Sequence, residues 1–129
     1  MAKYLLDTHI FLWWLSDTDK LSQEVFDTIS DTSNQLYISS ATIWEIAIKE
    51  AIGKLKIDTD LSLAIEDSGF IELKISAICA NNTKNLELIH RDPFDRMLIT
   101  QAIEKDMTLI TVDRYIVQYK GVKILTFKR

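Results

Sequence analysis

The chain has one cysteine, one proline, three glycines and two histidines in 129 residues, and each shortage excludes something. A lone thiol, Cys79, allows neither an intramolecular disulfide nor a cysteine-rich zinc site, and suits a reducing compartment, so a cytoplasmic location is expected. His9 and His90 are not at zinc-ligand spacing. With so little glycine and proline there is no linker, low-complexity segment or internal repeat, and residues 1–129 read as a single domain. No stretch approaches the roughly 18 apolar residues of a membrane span. The start, Met1-Ala2-Lys3-Tyr4-Leu5-Leu6-Asp7, reaches an acid before a signal-peptide core develops. A soluble protein with no membrane association is expected.

Positive charge is also short. Lys and Arg total 15 against 19 acids, for a net charge of −4, which argues against a simple nucleic-acid binder. Setting aside four carboxylates, Asp7, Glu45, Asp95 and Asp113, leaves 15 acids against 15 bases. The excess negative charge therefore equals one candidate site, which bound divalent cations would neutralise in large part.

Short apolar runs at Lys3 to Asp7, Leu36 to Ser39, Leu109 to Val112 and Val122 to Phe127 predict strands. Helical patterns lie between them at His9 to Leu15, Ser22 to Ser30, Ala41 to Ile52, Leu61 to Asp67, Ser76 to Asn85 and Pro93 to Asp106. This alternation predicts an α/β fold with a parallel sheet covered on both faces. Leu12, Trp13, Val25, Phe26 and Ile29 are expected as core or helix-packing residues, and Trp44 is expected to be buried. The adjacent Trp13 and Trp14 cannot share one helix face, so one of them is open to an interface role.

The four acids each stand where a strand should end or a helix begin. In an open α/β fold such joints converge along one sheet edge, and an oxygen-only set suits Mg²⁺ or Mn²⁺. Asp7 follows Tyr4-Leu5-Leu6; the alternative for it is a helix cap. Glu45 interrupts the apolar stripe of Ala41, Ile48 and Ile52, where an unpaired carboxylate needs a cation or a raised pKa. Thr42-x-x-Glu45 has the form of a capping box, but Ser39 and Ser40 are better placed to cap. Asp92 before Pro93 is an N-cap arrangement, whereas Asp95 leads the inward stripe of Leu98, Ile99 and Ala102. Asp113 closes Leu109-Ile110-Thr111-Val112, and Thr111, two residues earlier, can hold a carboxylate or a metal-bound water. Arg91, Arg96 and Arg114 flank the acids and can pair with them or grip a phosphate; of these, Arg96 and Arg114 are the candidate substrate contacts. Lys49, Lys54 and Lys56 are expected to be solvated, the alternative being a backbone-binding path beside Glu45.

Leu5-Leu6-Asp7-Thr8-His9, Ser39-x-x-Thr42-x-Trp44-Glu45-Ile46, His90-Arg91-Asp92-Pro93-Phe94-Asp95-Arg96 and Ile110-Thr111-x-Asp113 together resemble the PIN-domain nucleases, and within them the VapC-type toxins of toxin-antitoxin pairs. The resemblance spans nearly the whole chain. It implies a PIN-like three-layer fold with a roughly five-stranded parallel sheet and helices on both sides. It implies that Asp7, Glu45, Asp95 and Asp113 are the acidic metal-binding quartet and Thr111 its supporting hydroxyl. The implied activity is Mg²⁺- or Mn²⁺-dependent endonucleolytic cleavage of RNA. A homodimer and a small cognate antitoxin are the implied partners, with Trp13 and Trp14 as contact points. Two other readings compete: a phospho-acceptor domain using Asp7, and a catalytically silent binding module. An Asp-x-Asp phosphatase does not fit, because His9 stands where the second acid belongs.

Overall fold

The computed structural model describes residues 2–129. Five strands, β1 (Lys3–Leu6), β2 (Gln35–Ser39), β3 (Ile71–Leu73), β4 (Thr108–Ile110) and β5 (Lys123–Leu125), form one sheet in the order β3-β2-β1-β4-β5. Every pairing is parallel. The chain builds outward from β1 to β2 and β3, then returns to place β4 and β5 on the other side. The order therefore reverses at β1, and a crevice opens where β1 and β4 end, the place where open α/β sheets bind ligands.

Alternation along the strands supplies two cores. Leu6, Ile38 and Ile110 face one side and pack with Ile10 and Phe11 of α1 (Thr8–Ser16) and with Val25 and Ile29 of α2 (Gln23–Ser30). Leu5 and Leu109 face the other side and pack with Leu98, Ile99 and Ala102 of α6 (Pro93–Glu104). Leu98 and Ile99 are fully buried, each contributing about 1.5–3 kcal/mol by its removal from water. The remaining helices are α3 (Ser40–Ala51), α4 (Leu61–Asp67) and α5 (Ala77–Asn82).

The helix starts follow local chemistry. Ser39 ends β2 and also caps α3 through Ala41 N, so strand passes to helix without a loop and Glu45 stays near the sheet edge. Asp92 accepts from Phe94 N and Asp95 N, with Pro93 in the first turn, so the expected cap is present.

Several expectations need correction. β3 was not foreseen, because its three residues, Ile71-Glu72-Leu73, are too short and too mixed to show a period. The helix expected through Asn85 is α5 followed by a 3-10 turn at Thr83–Asn85. β4 ends at Ile110, so Asp113 lies in the loop beyond the strand, although Thr111 N still reaches Leu125 O. The last strand is limited to Lys123–Leu125. Trp44 is 61% exposed rather than buried, because the next residue, Glu45, takes the inward position on α3. Trp14 packs on Phe26 and Phe70, and Trp13 lies under the guanidinium of Arg129, so both tryptophans are already engaged within the chain.

Candidate metal centre

Asp7 follows β1 directly and is 3% exposed. One carboxylate oxygen accepts from Ile10 N at 3.2 Å and so caps α1; the other accepts from Thr111 Oγ1. Capping and site placement are thus compatible uses of one side chain. Thr111 Oγ1 also accepts from Asp113 N at 3.0 Å, tying the β1 and β4 ends together across the crevice. Burial pushes the Asp7 carboxyl above its ordinary range, against the hydrogen bonds from Thr111 and Ile10 and the nearby His9.

Glu45 is 7% exposed. Its Oε1 accepts from Thr8 Oγ1 at 2.7 Å, and its Oε2 lies 2.8 Å from Lys49 Nζ. Lys49 is therefore the partner of Glu45 and not simply a solvated lysine, as the i,i+4 Glu-to-Lys spacing on α3 allows. The Thr42-x-x-Glu45 capping box does not form, since Ser39 performs the capping.

Asp95 sits in the first turn of α6 beneath His90, with Nε2 2.8 Å from its Oδ2. The same imidazole nitrogen is 3.6 Å from Asp113 Oδ2. Asp113 Oδ1 accepts from Tyr115 N and Ile116 N, so this acid both fixes the loop leading into a 3-10 turn and presents its second oxygen to His90. The carboxyl of Asp95 is pushed up to about 8, first by burial and then by the negative charges of Asp92, Asp7, Asp113 and Glu45. The four expected acids are thus close enough for one of them to respond to the other three. Ligand atoms of His90, Asp95 and Asp113 lie within 4.8 Å of one another.

The sequence reading missed three contributors: His90, Thr8 and Lys49. His90 and Thr8 stood inside the quoted motifs, but nothing in their spacing separated a contact to the acids from ordinary surface or capping roles. Arg96 is a correction. Its Nη1 donates to Glu87 O, His90 O and Tyr119 Oη, and its Nη2 to Thr83 O and Leu86 O. A guanidinium committed to loop carbonyls is not free to grip a phosphate; it holds the 83–90 segment, and with it His90, against α6. Arg114 is exposed, stacks 5.0 Å from the Tyr115 ring centre and remains an available cation. The phospho-acceptor alternative needs an accessible Asp7, which the burial of that carboxylate opposes.

The family model for the PIN domain matches residues 4–122. The chain belongs to the PIN-domain family. This PIN domain shares its fold with VapBC2 from Rickettsia felis, solved bound to a DNA fragment from its promoter, at TM-score 0.75 and 18% identity over 98% of this chain and 99% of that one. DNA-bound VapBC from Salmonella typhimurium is similar at TM-score 0.70 and 20% identity, over 98% of both chains. PAE2754 from Pyrobaculum aerophilum is similar at TM-score 0.59 and 17% identity, over 95% of this chain and 89% of that one. No curated protein matches the chain. Among the described residues of this PIN domain, no helix is long and apolar enough to cross a membrane.

Proposed function

We propose that this PIN domain is a divalent-metal-dependent endoribonuclease and the toxin of a toxin-antitoxin pair. The observation that carries the reading is the set of contacts at the strand-order reversal: Thr111 joins Asp7 to the Asp113 backbone, and His90 Nε2 lies 2.8 Å from Asp95 and 3.6 Å from Asp113, while burial first and neighbouring negative charge second push the Asp95 carboxyl up to about 8. Like charges held together in a partly buried site are unfavourable unless a cation joins them. The donor set is mainly carboxylate oxygen, which fits Mg²⁺ or Mn²⁺. Asp7, Glu45, Asp95 and Asp113 would hold the ion.

Each acid is prepared by its neighbours. Thr111 and the first turn of α1 fix both oxygens of Asp7. Thr8 and Lys49 hold Glu45, while His90 bridges towards Asp95 and Asp113. When bound, a divalent cation neutralises charge on the scissile phosphate and lowers the pKa of a water nucleophile. Arg114 offers an exposed cation to the RNA backbone. Hydrolysis by water leaves a 5′-phosphate and a 3′-hydroxyl.

The test is cleavage of total cellular RNA by the purified, partner-free protein with Mn²⁺, with EDTA, and with Asp7→Asn. Discrete products from the wild type with metal alone support the reading. Equal cleavage by the variant, or first products ending in a 2′,3′-cyclic phosphate, would overturn it.

The partner assignment draws on the VapBC complexes above. That likeness supports a cognate antitoxin as partner; a homodimer and a cytoplasmic location belong to the same proposal. Ile52, Leu63, Ile78 and Leu88 are exposed at 55–82% and supply apolar area for such contacts. Sizing of the purified protein and co-purification with the product of the adjacent gene check this; a monomer that binds no such product refutes it.

A further inference from the structure

Trp44 and Phe94 stand one residue before Glu45 and Asp95 on α3 and α6, yet the carboxylate site uses neither ring. The two rings meet edge-on, with centroids 5.3 Å apart and planes at 78°. Trp44 leaves 61% of its surface open. Both rings border a cleft of about 350 Å³, whose walls also carry Ile75, Met97 and Arg91. Arg91 is exposed and, among the described residues, its guanidinium has no hydrogen-bond, ion-pair or stacking partner. Two of the residues lining this cleft, Trp44 and Phe94, are the chain neighbours of Glu45 and Asp95, with consecutive Cα atoms about 3.8 Å apart.

Three properties point to one ligand. An open indole face with a second aromatic at its edge accepts a flat ring by stacking. The cleft volume lies near the lower end of the range for small-molecule pockets, which suits one planar ring system rather than a folded protein segment. A free guanidinium at the rim complements a phosphate. We propose that the cleft is a nucleobase subsite, in which one unpaired base of a single strand stacks on Trp44 while its phosphate meets Arg91 beside the carboxylates. This takes the strand's identity from the ribonuclease reading above. It adds that the substrate is single-stranded at this position, since a base within a helix has no free face to offer.

The test is binding and cleavage of a fluorescein-labelled oligoadenylate by wild type, Trp44→Leu, Trp44→Phe and Arg91→Gln, with folding checked by circular dichroism. Stacking of one base predicts a loss of affinity of roughly 5- to 100-fold in Trp44→Leu, with Trp44→Phe retaining most of it. In cleavage, KM should rise while kcat stays nearly constant. Arg91→Gln should weaken binding and flatten its salt dependence. Equal affinity in wild type and Trp44→Leu overturns the subsite. So does a loss of dimer in Trp44→Leu with oligoadenylate affinity unchanged, which would assign the face, together with the neighbouring Ile48 and Ile52, to a second copy. Binding that depends on Trp44 without cleavage of any RNA would leave the subsite standing and refute the nuclease reading instead.

Discussion

The Asp95→Asn substitution separates the stability of this protein from its chemistry. In the unfolded chain the Asp95 carboxyl titrates near 3.8, and in the metal-free fold it is pushed up to about 8. Between those values the folded state holds a proton that the unfolded state has released, so stability falls as pH rises across this window and levels off above it. At pH 7 the interval is roughly three units, which at about 1.4 kcal/mol per unit gives an upper bound near 4 kcal/mol. Two features reduce it: the side chain is 18% exposed, and it keeps a hydrogen-bond partner in His90 at 2.8 Å. Asparagine has nearly the same shape and no charge. We therefore expect the variant to be more stable than the wild type by about 1–3 kcal/mol at pH 7 in EDTA, with the difference vanishing near pH 4. Urea melts at several pH values would measure it. Saturating Mn²⁺ should reverse the order, because a ligand that binds only the folded wild type adds its binding free energy to that state. An asparagine variant that is no more stable at pH 7, or a difference independent of pH, would show that burial and the charge of its neighbours do not raise the Asp95 carboxyl.

Other substitutions test the supports. Arg96→Ala should lower unfolding free energy by about 2–4 kcal/mol, because several loop carbonyls lose a charged donor, and Arg96→Lys should restore little of it; denaturant melts decide. Thr111→Val should reduce metal-dependent cleavage by about 10- to 100-fold while Thr111→Ser retains it, since serine keeps the hydroxyl that donates to Asp7 and valine lacks it; retained activity in the valine variant would refute that role. Burial, with Glu104 nearby, pushes the Cys79 thiol up to about 11, so at pH 8 the native protein should react with iodoacetamide at least roughly 100-fold more slowly than the denatured chain. A fast native reaction would contradict this placement.

Much of the architecture was legible because it rests on local periodicity and punctuation. The runs ending at Leu6 and Ser39, the alternation of strand and helix, and the Asp92-Pro93 start of α6 depend on near neighbours in the chain. Glu45 stood out as an acid among apolar residues, although of the stripe expected around it only Ala41 is buried with it, while Ile48 and Ile52 are exposed. β3 was not legible, since three residues carry too little period and its place at the sheet edge is fixed by pairing with β2.

The sequence alone determined most of the elements and their order, with Asp7 at the end of β1 and Asp92 at the start of α6, because caps and hydrophobic periods are properties of consecutive residues. Only the tertiary structure decided the partners. Thr111 reaches Asp7 across 104 residues, Thr8 reaches Glu45 across 37, and Arg96 turns from phosphate candidate to loop clamp. Trp44 is exposed because α3 directs Glu45 inward. These contacts arise where parallel strands and packed helices bring distant segments together, and hydrogen bonding and charge coupling act over a few ångströms of space whatever the separation along the chain.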